Sequence, residues 1–191
     1  MLVSATLGFV CGVLVVGGGF LHSMTTSRTG LVQTFKLSDG RPGLLFLTPA
    51  SAVGRTIDAA TGRSGFGHVA VHPCWMGSDG PLLIESDIRG GVRTVPAANY
   101  HGRQGALVQF AERDLPFVRG VAQGILAAPY RGRRGGIHCA EAALLCTPPR
   151  IREKIEPKIT GKLSPNSLAE AFGVKAETRK EVRNLVEALR Y

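Results

Sequence analysis

The chain has 191 residues, is 44% hydrophobic and carries a formal net charge of +9. This is enough for one ordinary domain with a real core plus a short extra segment, and it excludes a disordered chain. The charge favours anionic partners. The basic residues are scattered, however, apart from Arg131, Arg133 and Arg134, and form no stripe interleaved with aromatics, so no nucleic-acid partner is expected.

Met1 to Leu21 holds no charged side chain. As a helix it would span roughly 31 Å, about the thickness of a bilayer's hydrocarbon core. Residues 1–22 therefore read as a transmembrane anchor or a signal segment, ahead of a buried strand–turn–strand. The absence of Lys or Arg before the apolar run argues against a signal peptide, and Gly17-Gly18-Gly19 argues mildly against an anchor. The expected location is membrane-anchored or exported, with the membrane engaged through residues 1–21. Residues 23–40 are polar and turn-rich and read as a linker, with one strand-like piece at Leu31 to Leu37. Residues 41–191 form the body.

Arg41-Pro42-Gly43 is a turn and Leu44 to Leu47 a short apolar strand. Thr48-Pro49 has the form of a helix cap followed by proline, with Val53, Ile57 and Ala60 as the apolar face. After a flexible Gly62 to Gly67 loop come strands at Gly67 to His72 and Leu82 to Ser86, read as a hairpin with a long loop. Further strands are expected at Val92 to Val95 and Ala106 to Phe110. Helical periodicity then takes over in the stripe Phe117, Val121, Ile125 and Leu126. A basic glycine-rich loop, Arg131 to Gly136, opens into an apolar helix at Cys139 to Leu145. Ser164-Pro165 begins another helix that Gly173 stops, and Val182, Leu185, Val186 and Leu189 make a C-terminal amphipathic stripe. The order predicts an α+β domain, an antiparallel sheet packed against helices.

Four cysteines without a C-x-x-C pair do not make a disulfide framework in a chain this long. The pairs His72–Cys74 and His138–Cys139 lack the spacing of a known zinc module, so metal binding is the minority reading. A thiol becomes a strong nucleophile when a helix N-terminus and an imidazole favour its thiolate. Cys139 stands where the loop RRGGIHC turns into a helix. Taken alone it reads as a core cysteine. His68 opens a strand directly after a glycine loop, at a mouth that can face such a helix. His138 is adjacent to Cys139, and adjacent helical side chains diverge. Glu85 sits inside the apolar strand LLIES, where a carboxylate is costly unless paired, and a bond to His68 would satisfy it. Arg89, Arg93 and Tyr100 are candidate pocket residues without an assigned role.

The ordered set GLLFL at 43–47, SGFGHVAV at 64–71, LLIESDIRGGVRTVPAANY at 82–100, GIHCAEAALL at 136–145 and LSPNSLAEAFG at 163–173 resembles the circularly permuted papain-like enzymes, the YiiX-like branch of the NlpC superfamily. Those proteins run histidine, carboxylate, cysteine, and carry a Ser/Thr-Pro helix after the cysteine. The resemblance covers roughly residues 41 to 173. It implies a permuted papain-like (NlpC-type) fold, here with an N-terminal apolar helix, and Cys139 as nucleophile, His68 as base and Glu85 as orienting group. It further implies cysteine hydrolysis of peptide, isopeptide or ester bonds, with a peptide, cell-wall or acyl-lipid substrate and no cofactor. The chain differs from the usual family pattern at Leu44, where an acidic residue is common, and at His138 and Ala140, where an aromatic and a serine are common. Two rival expectations are a catalytically silent binding module of the same fold and a lipid acyltransferase of the lecithin–retinol type.

Overall fold

A computed structural model describes residues 24–31 (backbone), 37, 40–49, 65–130 and 136–174. The apolar N-terminal segment, the helix face at Val53, Ile57 and Ala60, the residues Arg131, Arg133 and Arg134, and the stripe from Val182 to Leu189 lie outside them. Among the described residues no helix is long and apolar enough to cross a membrane.

Among the described residues six strands form one antiparallel sheet. In chain order they are β1 (Met24–Leu31), β2 (Gly43–Leu47), β3 (His68–Gly77), β4 (Gly80–Asp87), β5 (Gly91–Pro96) and β6 (Gln104–Phe110). Their order across the sheet is β1-β6-β2-β3-β4-β5. Among the described residues four helices follow or flank it: α1 (Leu115–Ile125), α2 (Cys139–Leu145), α3 (Pro149–Ile155) and α4 (Pro165–Ala171). The α+β class and the antiparallel sheet packed against helices are as the sequence predicts. Strand β1 lies within the stretch read as a linker and pairs with β6 from Met24↔Phe110 to Leu31↔Gln104.

Both faces of the central strands are covered, which is why GLLFL runs apolar without alternation. Leu44, Phe46, Val69, Val71, Ile84 and Val108 belong to the core under the helices. Leu45, Leu47, Ala70, Leu83 and Leu107, alternating with them, belong to a second cluster on the opposite face. That second cluster is closed by Ala97 and Tyr100 of the 3-10 turn Ala97–Tyr100. Strand β3 runs further than the sequence suggests. Cys74 takes a positive φ of 56° where the β3–β4 register shifts between Val71 and Trp75. This bulge carries the strand past Pro73 to a tight turn at Gly77↔Gly80, in place of the expected long loop. Helix α3, with Ile151 and Ile155 buried, has no counterpart in the sequence reading. Helix α4 starts as read: Ser164 caps it, Pro165 occupies its first turn, and Gly173 follows it with φ +75°.

Candidate active site

The site forms where the start of β3, the end of β4 and the start of α2 meet. Strand alternation puts His68 and Glu85 on the face shared by Ala70, Leu83 and Tyr100, whereas Cys139 comes from the helix-covered face. The two groups converge at the end of the sheet, along a cleft of about 440 Å³ lined by His68, Glu85, Tyr100, Tyr130 and Cys139 among others.

Each partner is fixed by local structure. Gly67 N–H donates to Leu47 O at 2.9 Å. Phe66 N–H donates to Asn166 Oδ1, so the helix that follows the cysteine holds the loop that precedes His68. The segment before Cys139 is pinned by Ser86 Oγ, which donates to Ile137 O, and by Ile137 N–H on Pro129 O at 2.7 Å. Gly136 is required there, because a Cβ would stand 2.2 Å from the backbone of Tyr130.

Glu85 is buried and fully engaged. Its Oε2 lies 3.4 Å from His68 Nε2 and accepts the Tyr100 hydroxyl. Its Oε1 accepts Arg93 Nε at 3.0 Å and Arg93 Nη2 at 2.8 Å, across the directly opposed pair Glu85↔Arg93 of β4 and β5. Burial alone would raise this carboxyl. Hydrogen bonds from His68, Tyr100 and Arg93 override it and hold the group down at about 2. Burial likewise works against a charged His68, yet hydrogen bonds to Cys139 and Glu85 and their charges raise the ring to about 9. Because Nε2 faces Glu85 and Tyr100, Nδ1 is the nitrogen left for the thiol. Burial would also push Cys139 up. Hydrogen bonds with His138 and His68 and their charges bring it down to about 6.

His138 corrects the expectation that neighbouring side chains diverge. It is the N-cap of α2, with extended backbone at φ −82° and ψ 156°, and is not a helical residue. Its Nδ1 accepts the Ala140 N–H at 3.3 Å, and its own N–H donates to Glu141 Oε2 at 2.8 Å, a capping box with histidine in the place of serine. The ring folds over the first turn, with Nδ1 at 3.6 Å and Nε2 at 3.9 Å from Cys139 Sγ. While Nδ1 accepts from Ala140 the ring proton sits on Nε2, 3.9 Å from Sγ, so His138 faces the sulfur without leaving the cap, and His68 is the imidazole whose other nitrogen is held by Glu85.

The structure thus brings together Cys139, His68 and Glu85. Arg93 and Tyr100, singled out in the sequence without a role, are the groups that hold Glu85. The Arg89 backbone N–H caps Asp87 Oδ1 in the β4–β5 turn at 2.9 Å. Cys74 Sγ lies 3.9 Å from His72 Nδ1, and among the described residues no group of three or more His, Cys, Asp or Glu side chains is placed to hold a metal ion. No family model, curated protein or solved structure matches the chain.

Proposed function

We propose that the chain is a cysteine hydrolase with a permuted papain-like fold, cleaving amide or ester bonds through an acyl-enzyme on Cys139. The observation that carries this reading is the convergence of a thiol on the first residue of a helix, a strand histidine and a buried carboxylate in one cleft, with the thiol brought down to about 6 and the imidazole raised to about 9. Between those values the pair exists as thiolate and imidazolium, the state that attacks a carbonyl. Cys139 Sγ adds to the carbonyl carbon, and the oxyanion takes a hydrogen bond from the Cys139 N–H, which has no carbonyl partner within the helix. Tyr130 is the proposed second donor. Burial and the neighbouring Cys139 raise its phenol above the ordinary range, so it keeps its proton. His68 gives its proton to the leaving nitrogen or oxygen as the bond to carbon breaks. Water, deprotonated by His68, then cleaves the thioester and restores the thiolate.

Peptide, isopeptide or cell-wall amides and acyl lipids all fit this chemistry. The uncharged segment at residues 1–21 supports action at a membrane or envelope surface. The test is alkylation of the full chain by iodoacetamide across pH, in wild type, Cys139→Ala and His68→Ala. The reading requires one fast thiol whose rate titrates near pH 6 and depends on His68. A Cys139 that is inert, or titrates near 8.5 as a free thiol does, leaves the silent binding module as the account.

A further inference from the structure

Arg103 lines the same cleft. It is mounted rigidly: its N–H donates to Tyr100 O at 3.0 Å, its Nη2 donates to Thr48 O, and its guanidinium lies 5.3 Å over the Tyr100 ring. Its Nε is shut off from solvent without a hydrogen-bond partner. With Nη2 and Nε so placed, Nη1 is the nitrogen that these contacts leave unused. Among the described residues no carboxylate forms an ion pair with it. The nearby Glu85 is already held by Arg93, Tyr100 and His68, and Asp87 lies 3.3 Å from Arg93 Nη2. A preorganised cation without an ion-pair partner among the described residues, in a cleft beside reacting groups, is a built receptor for an anion.

Its side of the cleft is set by chemistry. The proton donor to a departing amine must face that amine. His68 therefore marks the leaving-group side, and Tyr100, whose hydroxyl lies 3.5 Å from His68 Nε2, carries Arg103 on that side. Tyr130 and His138, with ring centroids 5.6 Å apart, line the cleft with Cys139 as a separate ring pair. Ile88 is the single aliphatic side chain among the described lining residues, which favours a polar, amino-acid-sized leaving group over a lipid tail.

We propose, resting on the thiol-hydrolase reading above, that Arg103 binds a carboxylate on the leaving amine, so that the bond cleaved joins an acyl group to an amino acid with a free carboxylate. The reverse step tests this directly. p-Nitrophenyl acetate acetylates Cys139 with release of p-nitrophenolate, whatever the natural acyl group. An added amine then attacks the thioester carbon: the C–N bond forms, the C–S bond breaks, Cys139 leaves as thiolate, and His68 takes the amine proton. Glycine and glycinamide differ in the carboxylate alone, and each is corrected for its free-amine fraction. With the full wild-type chain, N-acetylglycine should form about tenfold or more faster than N-acetylglycinamide, the contribution of one charge-assisted hydrogen bond. Arg103→Gln should bring that ratio close to one, and Arg103→Lys should restore part of it. Equal capture of the two amines by wild type overturns the proposal. So does a ratio that survives Arg103→Gln, or a variant that loses acetylation by p-nitrophenyl acetate in the same proportion as glycine capture, since Arg103 would then only support Tyr100 and His68. A wild-type Cys139 that is neither acetylated nor alkylated faster than a free thiol removes the hydrolase reading itself, a failure distinct from the others.

Discussion

Helix α2 carries a cysteine at each end, and the two are almost equally hidden: Cys139 is 4% exposed and Cys146 0%. Their chemistry is opposite. Burial pushes the Cys146 thiol up to about 12, whereas Cys139 is brought down to about 6. Desolvation acts against the thiolate at both ends, so burial is not what separates a core cysteine from a nucleophile. The difference is the company each sulfur keeps. Cys139 has two imidazoles and the positive end of a helix, while Cys146 is the C-cap, on the negative end, inside the apolar core.

The largest expected effect isolates that contrast. At pH 7 native Cys146 should hold about one thiolate in 10⁵ molecules, and Cys139 should be mostly thiolate. Cys139→Ala should abolish fast alkylation by iodoacetamide, and Cys146→Ala should leave the labelled peptide and its rate as they were. Labelling of Cys146 at a comparable rate in the native chain would break the comparison.

Next comes His68→Asn. Without the imidazolium the Cys139 titration should move from near 6 towards that of a free thiol. At pH 7 the thiolate fraction falls by about 30-fold, but a more basic thiolate is intrinsically more nucleophilic, which offsets about tenfold of this. Alkylation should therefore slow only a few-fold while its pH midpoint moves by more than two units. Hydrolysis should fall by about 10²–10⁴-fold because the leaving group loses its acid. In the wild type the same two groups give a bell. Thiolate is lost as pH falls through about 6, and imidazolium is lost as pH rises through about 9. These limbs belong to the pair as a whole. A single rising limb in kcat/KM would show that His68 is not the acid.

Glu85→Gln should act more weakly, on the alkaline limb. It removes a hydrogen bond and a negative charge that raise His68, so that limb should move down in pH, with a loss in turnover of about tenfold at pH 8. It should also alter acid stability. The Glu85 carboxyl is held at about 2 against an ordinary 4.5, so its stabilising contribution is complete above about 4.5 and is lost as pH falls towards 2. Urea midpoints measured from pH 5 to pH 2 should fall less steeply in Glu85→Gln than in wild type.

Several of these residues are legible in the sequence because each breaks a local rule. Glu85 is a charge inside an apolar strand, His68 follows a glycine loop at a strand mouth, and Cys139 sits where a loop becomes a helix. The strands are legible for the same reason, as apolar runs between turn residues. Other features depend on contacts between distant segments. Arg93 reaches Glu85 because the β4–β5 register sets them opposite, and Tyr100 reaches it from a 3-10 turn beyond the strand read at Val92 to Val95. The positive φ of Cys74 that extends β3 leaves no mark in composition. Helix α1 buries Val118 and Ala122, with Phe117, Val121 and Ile125 packed at its flank, because the sheet and α2 select a face rotated from the largest side chains. The side-chain divergence expected of His138 assumes helical geometry one residue before the helix begins.

The position of His138 between cap and sulfur sets the smallest and sharpest expected effect. The contact with Cys139 favours a protonated His138, but protonation at Nδ1 would break its cap on Ala140. One nitrogen cannot serve both roles at once. Asparagine is a good N-cap and has no imidazole, so His138→Asn keeps the helix start and removes the ring. If the cap is the main role of His138, the Cys139 titration should rise by well under the shift seen in His68→Asn, with little change in thermal midpoint. His138→Ala should add a loss of about 1 kcal/mol in stability for the missing cap. A shift in His138→Asn as large as that in His68→Asn would mean that His138 donates to the thiolate, from Nε2 with the cap kept or from Nδ1 with the cap given up. The sulfur would then be held between two imidazoliums, and the difference between the two ends of α2 would rest on both.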